Sequence, residues 1–258
     1  MRAVAAVALL VALLAPAPAP AQESISPDRP DVSTSTTTVP RGAAQVETGV
    51  EYARTGRAGV DERELIVEVV LRAGVTDRLE ARLQFEPLVR LGGPEDDTGH
   101  GDVTLSLKHR FLDARGAAPA LGVLPFVKLP AAGAPIGSER PDFGIVGMAG
   151  FDLPAGFALD VNAGVAAVGV TRPGGYLAQG LAAVALQRDL IPDRLQGFVE
   201  AFFNTREERD GRDRLGADAG VVWKVARWLA VDLAVATTLA GRGPDHAVRS
   251  GVSVLLGR

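Results

Sequence analysis

The chain has no cysteine, only three histidines, and aromatic residues make up just 5% of its 258 positions. Without cysteine no disulfide can staple it, so the fold must hold by hydrogen bonding and burial alone. Three histidines leave little material for acid–base catalysis or metal ligation. A formal net charge of −4 argues against nucleic acid as a partner. Long apolar runs are also missing, apart from one at the N-terminus.

That one run reads as a secretory signal peptide over residues 1–21. Arg2 supplies the positive start, Ala3 to Leu14 is continuously apolar, and Ala19-Pro20-Ala21 forms a small-residue cleavage site. A spanning helix needs about 20 apolar residues, and Pro16, Pro18 and Pro20 interrupt this run sooner. An uncleaved anchor is therefore the weaker reading, and the mature chain is expected to begin at Gln22. Residues 22–42 are polar, with Pro27, Pro30, Pro40 and the run Ser33 to Thr38. They predict an extended leader tucked into the mouth of the domain formed by the rest of the chain.

Residues 43–258 alternate between apolar and polar or small side chains. In Arg78 to Glu86, Leu79, Ala81, Leu83 and Phe85 point one way, and Glu80, Arg82, Gln84 and Glu86 the other. Successive strand side chains face opposite sides, so each such block is a strand with one greasy and one wet face. Twelve strands are predicted, at 44–54, 63–73, 78–90, 101–112, 118–130, 142–152, 157–169, 176–188, 194–205, 214–225, 229–240 and 246–256. The connections tend to alternate short and long, although 170–175 and 189–193 are about equal. Short inner turns, long outer loops, an even strand number and both termini in the periplasm describe a closed antiparallel up-and-down transmembrane β-barrel.

Parity alone does not say which face is inside. A soluble barrel would bury the apolar set, whereas a membrane barrel turns it toward lipid. The signal, the loop alternation and the lack of any helix to close a soluble core favour the inverted arrangement. The polar set then lines the lumen: Glu47 and Glu51, Glu64, Glu68 and Arg72, and Glu80, Arg82 and Glu86 on the first three strands. Lys108, Arg110 and Lys128 come next, and later Glu200, Asp218, Lys224, Asp232 and Arg249. They read as a charge-paired filling of a narrow barrel or as the lining of a solute pathway. Sparse aromatic girdles are expected from Phe111, Phe151, Phe157 and Trp223 at the inner rim and Tyr52, Phe143 and Tyr176 at the outer.

No catalytic, cofactor-binding or metal residues are assigned. His246 beside Asp245, with Ser250 four positions on, is the nearest thing to a hydrolase constellation, and its spacing fits a solvated loop histidine better. His100 falls in an outer loop and His109 on the lipid-facing side of its strand. Glu95-Asp96-Asp97 reads as a wet loop rather than a calcium site.

Certain segments are more specific than the alternation. Asp28-Arg29-Pro30-Asp31, Val39-Pro40-Arg41-Gly42 and Gln45 to Tyr52 resemble the opening of the family known as "Putative MetA-pathway of phenol degradation". Gly99-His100-Gly101-Asp102, Lys108 to Phe111, Pro125 to Pro130 and Trp228 to Leu233 continue the likeness along nearly all of the mature chain. The resemblance implies an outer-membrane barrel of a Gram-negative bacterium that passes aromatic or other hydrophobic compounds, and it brings no catalytic residues. One departure stands out: barrels of this type usually end in an aromatic residue read by the insertion machinery, and this chain ends Leu255-Leu256-Gly257-Arg258. The function expected is a passive channel for small solutes, aromatic or hydrophobic ones among them. Its partners would be outer-membrane lipid, the solute and the barrel insertion machinery. The alternatives are an outer-membrane hydrolase acting on lipids and a structural barrel plugged by its own chain.

Overall fold

A computed structural model describes residues 24–56, 61–94, 96–138, 140–170, 174–206 and 211–257. The signal peptide predicted over 1–21 and the acidic Glu95 lie outside these residues. Strand-period sequence gives strands nearly throughout: β1 (Ala44–Thr55), β2 (Glu62–Thr76), β3 (Leu79–Gly92), β4 (Asp97–Gly99), β5 (Val103–Leu112), β6 (Ala120–Leu129) and β7 (Asp142–Leu153). A single 3₁₀ turn, Pro154–Gly156, separates these from β8 (Phe157–Val170), β9 (Gly175–Ile191), β10 (Leu195–Asn204), β11 (Arg214–Ala226), β12 (Leu229–Gly241) and β13 (His246–Leu256).

Each long strand pairs antiparallel with its neighbours, and β1 pairs with both β2 and β13, so the twelve long strands close into a ring. Closure leaves no sheet edge unpaired, which is what a β structure in lipid requires. The thirteenth strand is β4. The reading of 91–100 as plain loop is corrected there: β3 runs on to Gly92, and β4 folds back on it with Val89 opposite Gly99. Two prolines inside strands sit where the ladder is already broken. Pro87 occupies the irregularity where Val67 pairs with Leu88 but Val69 pairs with Phe85. Pro125 falls opposite Leu107, in a stretch where the β5–β6 ladder is interrupted, with no pair between Ser106–Phe126 and His109–Val123.

One end of the ring carries the short connections, such as residues 77–78 and 227–228, together with both ends of the described chain. The opposite end carries the long ones, such as 130–141 and 205–213. The polarity is inside out. Val165 is 63% exposed and Val235 57% on the outer wall, while Glu80 and Lys108 are 0% exposed within. The soluble alternative, with apolar residues filling the interior, is thereby overturned: the outer wall is apolar enough to need lipid as its solvent. Tyr52, Phe143 and Tyr176 are exposed at the long-loop end, with the last two rings 6.3 Å apart. Phe111, Trp223 and Trp228 are exposed at the short-turn end.

Candidate functional site

The leader is not confined to the mouth. It starts at the short-turn end, where Ile25 donates its N–H to the Arg227 carbonyl at 2.8 Å and packs with Val39, Val222, Ala230 and Leu255. It climbs inside the ring, crosses it, and returns to begin β1, with Gly42 donating to the Gly74 carbonyl at 2.9 Å. Three prolines and a serine–threonine run give it no strand partner, so its backbone groups must be satisfied by inward side chains. They are. Glu47 accepts from the N–H groups of Asp28 and Arg29, both at 3.2 Å. Glu200 accepts from Val32 and Ser33 at 2.7 Å each. Asn162 makes a two-way amide pair with Thr34, at 2.7 and 3.0 Å. Glu80 takes the Val39 N–H at 2.8 Å.

Asp28 is the hub. Its carboxylate meets Lys108 at 2.6 Å, Arg82 at 2.8 Å and Arg72 at 3.3 Å. Arg72 in turn reaches Glu47 at 2.5 Å and Glu80 at 2.7 Å. Burial by itself would raise the Asp28 carboxyl, but Arg72, Lys108 and Arg82 together hold it well below the ordinary range. Asp31, at the apex, goes the other way. Burial first, then the carboxylates of Glu200, Asp218, Asp160 and Asp28, push it well above its ordinary 3.8. Part of its surface stays open to the lumen, which moderates the effect.

Arg29 sits over the seam where the ring closes. Gly49 of β1 faces Gly251 of β13, and a Cβ on Gly251 would fall 2.6 Å from the Arg29 Nε, while one on Gly49 would overlap the same guanidinium. From there Arg29 reaches Glu68 on β2 at 3.4 Å and Asp232 on β12 at 3.5 Å. Arg249 of β13 donates to the Pro30 carbonyl at 3.2 Å and pairs with Glu51 at 2.5 Å and Asp218 at 2.9 Å.

The polar residues named from sequence thus occupy different places. Glu47, Glu68, Arg72, Glu80, Arg82, Lys108, Glu200, Asp232 and Arg249 grip the leader directly. Glu51 and Asp218 join Glu68, Asp232 and Arg249 around its apex, beside a cavity of about 300 Å³ that Glu86 also lines. Glu64 borders a second recess of about 390 Å³ at the long-loop end. Lys128 is tied to Asp142 at 2.7 Å near that end. Arg110 meets the Asp77 carbonyl at 3.0 Å and Asp113 at 3.1 Å on the short-turn rim, and Lys224 is half-buried on β11 near the same end. The sequence reading missed the other half of the site. Asp28, Arg29 and the leader's backbone amides had a visible signal, a charged motif in a segment lacking any strand period.

The hydrolase constellation does not assemble. His246 and Ser250 both point outward on β13, roughly 13 Å apart along the strand at about 3.3 Å per residue. The Ser250 hydroxyl is given to the Asp232 carbonyl at 3.1 Å. Among the described residues no group of three acidic or histidine side chains could hold a metal.

A family model described as "Putative MetA-pathway of phenol degradation" matches residues 27–256. Among solved structures the chain is similar to the COG4313 outer membrane channel from Pseudomonas putida F1, at 15% identity and a TM-score of 0.68, covering 90% of this chain and 100% of that one. It is also similar to the NanC porin, at 7% identity and a TM-score of 0.58, over 81% of this chain and 98% of that one. The KdgM porin in complex with disordered oligogalacturonate gives 4% identity and a TM-score of 0.54, over 80% and 98%. At such identities the likeness is one of fold. No curated protein matches the sequence.

Proposed function

Because the chain belongs to the family described as "Putative MetA-pathway of phenol degradation", we propose that it is an outer-membrane channel for passive movement of small solutes, aromatic or hydrophobic ones among them. The observation that carries this reading is a closed ring whose charged side chains point inward and whose apex cavity of about 300 Å³ remains unfilled beside the leader. A twelve-stranded barrel is wider than the side-chain-filled eight-stranded kind and narrower than open porins, so a leader across it leaves a restricted path rather than a wide pore. The fold is that of barrels named as a channel and as porins, which supports the same reading. Export by a cleaved signal, periplasmic chain ends and delivery by the insertion machinery complete the proposal.

The leader's ion pairs favour a second reading, a structural barrel closed by its own chain. Planar-bilayer conductance separates the two. The channel reading expects steady current from the intact mature protein. Silence from that protein, with current appearing only when residues 22–42 are removed, would establish the closed barrel instead.

A further inference from the structure

The inner wall is not charged all round. On β6, β7 and β10 its inward residues include Leu124, Phe126, Val146, Met148, Phe198 and Phe202, and the large ones share one arrangement. Phe126 lies opposite Gly144 on the next strand, Phe198 opposite Gly220, and Phe202 opposite Gly216. Gly144 points inward, since its neighbours Phe143 and Ile145 are about half exposed on the outer wall. A Cβ on Gly220 would fall 2.6 Å from Phe198 Cε1, and one on Gly144 or Gly216 would overlap the ring of Phe126 or Phe202. Met148 and Val146 repeat the pattern over Gly122 and Gly164, whose Cβ positions fall 2.9 and 3.0 Å from them.

A ring in van der Waals contact with a glycine across the strand lies flat on the sheet. The same ring over any residue with a Cβ has to lift, and the open direction is the lumen, because the backbone closes the other side. Phe202 shows the stack in full: Gly216 beneath, and the Arg214 guanidinium above at 4.9 Å from the ring centroid.

We propose that these cross-strand glycine–side-chain pairs, Phe126–Gly144 and Phe202–Gly216 foremost, set the width of the bore above the leader and so the size of solute admitted. The class admitted is slim, with an apolar part to pass Phe126 and Leu124 while the carboxylates of β1 to β3 border the other side. The consequence for solutes rests on the channel reading, but the width is measurable without any flux. The chain has no cysteine, so Ile66→Cys, in the wall of the apex cavity, gives a single reporter thiol. Its reaction with a slim and a bulky thiol reagent of like charge is followed in folded, detergent-purified barrel, beside bilayer conductance.

Gly144→Ala and Gly216→Ala should slow the bulky reagent several-fold and the slim one hardly at all. Phe126→Ala should speed the bulky reagent, and Gly144→Ala combined with Phe126→Ala should at least recover the parent rate. Conductance should follow the same order without a change in ion selectivity. If the glycine variants do not fold, Phe126→Ala decides alone. Bulky-reagent rates unmoved by the folded variants would overturn the proposal even where the parent conducts. Rates that move as described in a barrel that passes no current would uphold it and remove the channel reading instead.

Discussion

The two arcs of the inner wall handle the same difficulty, a lumen narrower than its side chains, in opposite ways. On β1 to β3 and β11 to β13 the wall is charged, and glycines such as Gly49 and Gly251 make room for another part of the chain, the leader's Arg29. On β6, β7 and β10 apolar side chains stand between the polar ones, such as Glu200, and glycines make room for the wall's own rings. The first arc holds a plug. The second helps through Glu200, and its rings lie against the sheet. Buried charge is tolerable where every group has a partner, and a barrel wall alone does not offer enough of them. The leader supplies the missing ones, which is why the charges gather where it lies.

That contrast can be broken most sharply at Arg72, which is buried among Asp28, Glu47 and Glu80. Arg72→Ala strands these carboxylates and is expected to destabilise the folded barrel by about 3–5 kcal/mol. Urea unfolding in micelles reads the loss, and limited proteolysis should find the leader released. On the other arc Met148→Ala removes a buried side chain from over Gly122, for about 2 kcal/mol. Here the leader should stay protected, and leader cleavage in this variant would show that the arcs are not independent.

Acidity sharpens the comparison further, through two leader carboxyls of opposite sign. Asp31 sits above its ordinary 3.8, so in the docked leader it keeps a proton that a free leader would have lost. Docking therefore weakens as pH rises from the ordinary carboxylate range to the raised value, and is level outside that window. Asp28 contributes fully above its ordinary 3.8 and loses that contribution as pH falls through its depressed value. Asp31→Asn is expected to tighten the leader at neutral pH and flatten the upper part of the profile. Asp28→Asn should loosen it at every pH above the ordinary carboxylate range, a loss that shrinks as pH falls toward the depressed value, and leader proteolysis measured against pH checks both. The smallest effect belongs to Arg78→Ala, on the rim. Its partner Asp113 is solvent-exposed like itself, and loss of an exposed pair should shift urea unfolding by less than about 1 kcal/mol.

Much of this was legible in the residues. The alternation in Arg78 to Glu86 puts Glu80 and Arg82 on one face, and both do point inward. The twelve long strands lie within a few residues of their predicted bounds, because a half-wet strand announces itself with period two. Strand ends were less readable: β9 continues to Ile191 where 188 was expected, since nothing in Asp189-Leu190-Ile191 marks a stop. The leader's extended character was clear from its prolines, but its route was not. A segment without periodicity carries no register, and its partners are fixed by shape and charge that exist only once the ring has closed.

Composition and parity by themselves determined a cysteine-free run of twelve long strands, each with one apolar and one polar face. Only the tertiary structure decided that Asp28 meets three cations, that Arg29 spans the seam, and that the rings of β6 and β10 lie on glycines. The reason is distance along the chain. Arg249 and Pro30 are 219 positions apart, and the period-two pattern says which way each side chain faces but not which remote residue it will find there.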